Sequence, residues 1–347
     1  MFSFSEFKFT KDHSNVVKGM AILLLLFYHL FGNEYVVAVM EVNYHPLPLP
    51  LFLKLADFGN ICVALFVFLT AYGISKKLFA SESQDVLSAY KDASRRFFSL
   101  MGNFTALYIS VNLLWWNRFS YSDTYGIGKQ GLLNICLDAL GLSLMSGTPT
   151  MNITWWYMKI AYVLIFLVPA LAFLMKKVGY SVLLITLLLP QLLSIDADIN
   201  RYLLTAVLGV CSAYGQWPEK IMCREIPKIF QWMAGIGGLI TCVVIRQHPF
   251  IQENYLALID APVCLILFLF AGILLAGIPC LNRVLAFIGT HSFNIYLVHT
   301  FFYMILWQKF IYQFKYAGII LLLLLGVCLI YSVILEFLKN LLKKVVR

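Results

Sequence analysis

The sequence predicts an all-α protein: a polytopic membrane helix bundle of about ten transmembrane helices, with N- and C-termini cytoplasmic. Three observations lead there. Apolar residues make up 61% of the 347, charged residues only 12%, and the mean hydropathy is +0.83; a water-soluble domain of this size needs far less apolar surface. The apolar residues gather into runs of about 17–25 residues, the length that crosses a hydrocarbon core about 30 Å thick. Basic residues collect on alternate connections, and that bias sets orientation.

In chain order, helices are expected over about 15–33, 57–75, 97–116, 152–175, 179–195, 199–217, 229–246, 257–279, 285–307 and 317–338. The first run lacks a small-residue cleavage site and many others follow it, so it reads as a retained helix. The outer loop 34–56 carries Pro46, Pro48 and Pro50 alternating with leucine, an extended stretch that cannot be helix. The cytoplasmic loop 76–96 is polar and ends in Arg95-Arg96. The stretch 131–147 is short for a span and rich in Gly and Ser, so it is placed as a re-entrant or interfacial element. Counting it as a span would make eleven helices and separate the termini. The chain stops about nine residues past its last apolar run, so no appended soluble domain is expected at either end, and 1–347 reads as a single transmembrane domain.

With ten spans and the N-terminus inside, eighteen of the 26 basic residues fall on cytoplasmic segments, among them Arg224 and the C-terminal Lys343-Lys344-Val345-Val346-Arg347. Seven fall outside and Lys159 lies within a span. The net charge of +9 is thus mostly a topology signal. It gives no reason to invoke nucleic acid, although the cytoplasmic face would attract an anionic ligand. Eight cysteines are scattered singly, mostly inside apolar runs (Cys62, Cys211, Cys242, Cys264, Cys328). With no CxxC or Cys/His cluster, they read as small residues packed between helices, and no metal is expected.

One pair stands out. Lys18 and His29 are eleven residues apart in the first run, a rotation only about 20° past three turns and a rise of about 16 Å. They share a helix face, with Lys18 near one surface and His29 near the midplane. A titratable imidazole there is costly and points to function, although a histidine in a span can also simply bond a carbonyl across helices.

Several segments together resemble the acyltransferase-3 family of bacterial membrane O-acyltransferases. Its first helix carries a basic residue, usually arginine, eleven residues before a histidine; Lys18 and His29 keep that spacing with lysine. After its second helix comes a phrase matched by Phe66-Val67-Phe68-Leu69-Thr70-Ala71-Tyr72-Gly73-Ile74-Ser75, with Thr-Ala for the usual Ser-Gly. Arg95-Arg96 match a double arginine, without the proline that often follows. Gly289-Thr290-His291-Ser292-Phe293-Asn294-Ile295-Tyr296-Leu297-Val298-His299 fits the ninth helix closely. Trp155-Trp156-Tyr157 resembles the opening of the fourth, without a following glutamate. The resemblance spans helices one to nine.

That resemblance implies transfer of an acyl group, acetyl above all, from acetyl-CoA or another acyl-CoA to a hydroxyl of a glycan or lipid-linked saccharide, in the inner membrane of a bacterium among its lipids. Such transfer needs a base for the hydroxyl proton or a nucleophile to carry the acyl group, and cations for the anionic donor. His29, with Lys18, would carry the chemistry; Lys18, Arg95 and Arg96 would hold coenzyme A phosphates. His299, Tyr296, Trp155 and Trp156 would meet the acceptor from the other side, the tryptophans by stacking. Arg95-Arg96 are also what any cytoplasmic helix end shows, and His291 reads as structural. Trp115, Trp116, Trp217 and Trp307 read as interface anchors. Lys159, Asp260 and Asp138 either pair with one another or line an acceptor cleft. A flippase for a lipid-linked sugar would favour inverted repeats, which are not visible. A sensor or scaffold would have no use for a buried Lys18 and His29.

Overall fold

The computed structural model describes residues 7–81, 85–192, 194–222 and 226–345, and among them every regular element is a helix. Cys223, Arg224 and the C-terminal Val346-Arg347 lie outside the described residues, so their part in the charge bias is not placed. The other seven cysteines are free thiols, and the five expected between helices are buried.

α1 (Lys11–Phe31) starts four residues before the expected 15 because Thr10 donates its backbone N–H to His13 Nδ1 at 3.0 Å, closing the first turn around polar residues. Its end at Phe31 puts His29 in the last turn rather than midway. The outer loop is partly helical, against expectation: α2 (Glu34–Val39) and α3 (Leu49–Phe58) both form within it. Pro50 sits in the first turn of α3, where a missing N–H costs no hydrogen bond. A 3₁₀ turn joins α3 to α4 (Cys62–Ala80).

α5 (Val86–Trp115) is 30 residues long and begins eleven residues before the expected 97. Asp85 caps it by accepting from the Ser88 N–H at 2.8 Å, and Lys77 bridges to Asp92 at 2.6 Å. Arg95 and Arg96 therefore sit on helix, not in a loop. α6 (Tyr121–Tyr125), α7 (Gly128–Ala139) and α8 (Ser143–Ser146) fold the ambiguous region. At 12 residues α7 is about 18 Å long, too short to cross.

α9 (Tyr157–Val178), α10 (Val182–Leu192), α11 (Ala197–Tyr214), α12 (Trp217–Met222), α13 (Lys228–Arg246), α14 (Pro249–Asn254) and α15 (Leu256–Leu269) follow, the last running into a π-helical stretch, Phe270–Leu275. The expected ninth helix is interrupted at His291: α16 (Pro279–Thr290) ends there, α17 (Ser292–Thr300) restarts, and a π segment, Phe301–Leu306, continues it. α18 (Gln308–Tyr312) and α19 (Ala317–Val345) complete the chain.

Seven of these stretches are long and apolar enough to cross a membrane. One of them, Ile153–Leu189, takes in both α9 and most of the short α10, so the two expected spans outside the seven are the polar-capped α11 and the interrupted 279–306 segment. α11 carries Asp198 and Arg201 in its first turns, which lowers its hydropathy, yet it packs centrally against α4, α9 and α15.

α1 and α16 cross at backbone contact. A Cβ on Gly19 would fall 2.1 Å from the Leu285 carbonyl oxygen, and one on Gly289 would fall 1.9 Å from that of Asn15. Two glycines facing each other's helix remove the side-chain layer that normally separates helices. This crossing positions α1 against the 279–306 segment, which carries His299.

Candidate functional site

The first and ninth expected helices meet through two histidines. The rings of His29 and His299 have centroids 4.7 Å apart, and Tyr303 from the π segment lies 6.1 Å from His299 and 6.4 Å from His29. His299 is fully buried. Its Nδ1 lies 2.7 Å from the Tyr296 carbonyl oxygen. A carbonyl can only accept, so Nδ1 carries the proton and neutral His299 has its lone pair on Nε2. That Nε2 is buried and has no hydrogen-bond partner among the described residues. His29 is half-buried and makes no hydrogen bond to the described residues. One imidazole is fixed in tautomer; the other is uncommitted and reachable.

The π segment next to the site explains part of this geometry. The backbone ladder changes register after Thr300, and in the α-helical turn before it side chains bond two successive carbonyls: Tyr296 by His299 and Leu297 by Trp155 Nε1 at 2.9 Å. Asn152 Nδ2 donates to Thr300 Oγ1 at 2.7 Å, and Tyr296 donates its hydroxyl to the Thr154 carbonyl. The 152–156 turn is thus bolted to α17.

Those contacts revise two expected acceptor residues. Trp155 is 2% exposed, enclosed by Phe104 and Phe301, and offers no free ring face. It is a core residue, because its N–H is needed inside the bundle. Tyr296 is likewise buried and committed to Thr154. Trp156 is half-buried and stacks on Tyr202, 6.1 Å between centroids.

Lys18 is half-buried and has no hydrogen bond or ion pair with a described residue. Arg95 is exposed and reaches Asp92 at 3.4 Å. Arg96 is exposed and lines a cleft with Lys77 and Asp92 of only ≈ 10 Å³, room for about one water. A different lysine organises that end: Lys76 pairs with Glu219 at 2.6 Å and donates to the Phe9 carbonyl at 2.8 Å, tying the N-terminal segment and α12 to α4. An apolar cavity of ≈ 660 Å³ opens between Trp115, Phe302, Trp307 and Tyr331, beside the histidines' π segment but lined by none of the candidate residues.

Lys159, Asp260 and Asp138 do not pair with one another. Lys159 bridges Asp196 and Asp198, both at 2.9 Å, and its hydrogen bond holds the Asp196 carboxyl below the usual carboxylate range. Asp138 accepts from the Tyr125 hydroxyl at 2.6 Å and the Met151 N–H at 3.0 Å. Burial, then the Asp138 charge, pushes the Tyr125 hydroxyl up. Asp260 is 1% exposed and bonds Arg246 Nε at 2.7 Å, with Arg201 Nη2 at 3.9 Å. In the sequence Arg201 and Arg246 stand out only as two of the seven basic residues on the outer side. Each stands near a helix end beside a buried aspartate, a pattern in which charge sign along the chain carries little signal.

Residues 13–337 match the acyltransferase domain that defines the acyltransferase-3 family. The chain belongs to that family. With its long apolar helices it is a multi-pass membrane acyltransferase. No curated protein and no solved structure matches it.

Proposed function

We propose that the protein is an O-acetyltransferase that moves an acetyl group from cytoplasmic acetyl-CoA to a hydroxyl of a cell-surface or lipid-linked polysaccharide, in the inner membrane of a bacterium. The observation that carries this reading is the uncommitted imidazole of His29 set against the tautomer-locked His299. His29 takes the proton of the acceptor hydroxyl while that oxygen bonds the thioester carbonyl carbon. The carbon–sulfur bond then breaks, and His29 returns the proton to the leaving thiolate. Transient acylation of His29 is the two-step form of the same exchange.

Lys18, about 16 Å from His29 along α1, meets the donor phosphates, and an extended pantetheine arm bridges the interval to the thioester. Arg95 and Arg96 add exposed cations at the end where Lys76 gathers the N-terminal segment, the side read as cytoplasmic. Both termini then lie on that side, and no metal is needed. The acceptor enters from the opposite end, past the 34–56 loop and the 117–151 region, and reaches His29 with the buried His299 behind it.

The test is release of coenzyme A by purified protein given acetyl-CoA, with and without a polysaccharide acceptor. Turnover in the wild type and its loss in His29→Ala are expected. Transport of a saccharide without thioester cleavage would replace this reading with a flippase.

A further inference from the structure

At the end of the bundle where α1 finishes, Arg201, Arg246 and Asp260 form a buried cluster that the acyl-transfer chemistry above does not use. Arg246 is the largest fully buried side chain, 1% exposed, with its guanidinium 5.8 Å from the Phe58 ring. Its Nε donates to Asp260 Oδ1, but its Nη2 is buried with no partner. Arg201 lies over the Tyr202 ring at 5.4 Å, and its Nε and Nη2 also lack hydrogen-bond partners. Among the described residues Asp260 Oδ2 has no hydrogen-bond donor either.

A small rotation of Arg201 would close its 3.9 Å separation from Asp260 Oδ2 and satisfy both groups. Arg201 Nε and Arg246 Nη2 would still be unmet, on two cations that share one carboxylate. Of the neighbouring carboxylates, Asp57 takes the Gln247 and Gln252 side-chain amides on Oδ2 at 2.8 and 3.1 Å, and Asp198 is bridged by Lys159 at 2.9 Å. Buried guanidinium donors without acceptors are costly, and a carboxylate or phosphate supplies the paired oxygens they fit. Arg201's side chain is 34% exposed, so the cluster can be reached on the Arg201 side while Arg246 and Asp260 lie buried behind it.

The cluster also adjoins the histidine site. The Tyr28 ring lies 5.2 Å from that of His29 and its Cβ packs at Gly59, next to Phe58, over whose ring the Arg246 guanidinium sits. Trp156 stacks on Tyr202, the ring over which Arg201 lies. We propose that Arg201 and Arg246 form an anion subsite that receives a carboxylate or phosphate of the acceptor and thereby presents a neighbouring hydroxyl toward His29. This rests on the acyl-transfer reading for the word acceptor, but the subsite is defined by binding alone.

The experiment measures binding to the purified full-length protein with no acyl donor present. Three probes are compared by thermal shift and calorimetry: a uronic-acid trisaccharide, the glucose trisaccharide of equal length, and inorganic phosphate. The wild type is expected to bind an anionic probe, and Arg201→Gln to lose about tenfold or more in affinity at unchanged melting temperature without ligand. Arg201→Lys, which keeps the charge, recovers part of it. Binding of the uronate probe identifies an acidic sugar as the source of the anion; binding of phosphate alone identifies the phosphate of a lipid-linked acceptor. Equal binding of the glucose trisaccharide, no binding of any probe, or unchanged affinity in Arg201→Gln overturns the proposal. Failure of the acyl-transfer reading would show separately, as no coenzyme A release.

Discussion

His29 and His299, 270 positions apart in the chain, bring their rings to 4.7 Å. They differ in freedom: one is bonded to a carbonyl and sealed, the other is unbonded and reachable. On the acyl-transfer reading proposed above, that asymmetry makes His29 the reacting group and His299 its support.

His29→Ala is expected to insert and melt like the wild type, because His29 holds no hydrogen bond that the fold needs. Its turnover should fall by about 10²–10⁴-fold, the usual contribution of a positioned base. Coenzyme A release measured beside a melting curve checks both halves; near-normal release would remove His29 from the chemistry.

His299→Phe keeps a ring against Tyr303 but deletes the N–H that the Tyr296 carbonyl receives. The Tyr296 carbonyl lies within α17 and loses one side-chain bond, worth about 0.5–1.5 kcal/mol, while a shifted His29 costs about 10² in rate. The drop is expected in kcat rather than KM, with His299→Asn recovering part of it through its amide N–H. A KM effect alone would make His299 an acceptor contact instead of a positioning residue.

Lys18→Arg should bind donor as the wild type does, since a guanidinium serves a phosphate at least as well. Lys18→Ala should weaken coenzyme A binding by about 1–3 kcal/mol, roughly tenfold to a hundredfold. Calorimetry with coenzyme A decides; equal affinities would show Lys18 to be an orientation anchor.

Gly19→Ala and Gly289→Ala each force a methyl into a backbone oxygen at the α1–α16 crossing. Overpacking of this kind costs about 1–3 kcal/mol each. Because the two sites share one contact, the double variant should cost less than the sum. Thermal melts of the three variants measure this, and an additive pair would mean that the crossing does not move as a unit.

Acceptor preference should follow the outer segments and donor affinity should not. Exchanging the 34–56 and 117–151 regions for those of a relative with another acceptor is expected to change which glycan is acylated. A chimera that kept its glycan and changed its acyl donor would reverse the proposed orientation.

What the sequence by itself determined was the class: apolar runs of membrane length, basic residues on alternate connections, and ordered motifs now matched over residues 13–337. These are one-dimensional properties, carried by spacing and composition. Helix ends were less legible, since hydropathy sees only where apolar residues stop. The polar turns that Asp85 and Thr10 cap extend α5 and α1 beyond that point, which moved Arg95 and Arg96 onto helix, while the end of α1 at Phe31 put His29 into a last turn. Only the tertiary structure decided partners. Lys18 and His29 share a face by helical arithmetic, but no local pattern says that His29 meets His299, that Trp155 closes on Leu297, or that Asp260 takes Arg246 rather than Lys159. Such pairings depend on how closely helices cross, and here two glycines let α1 and α16 touch backbone to backbone, a distance that no single helix encodes.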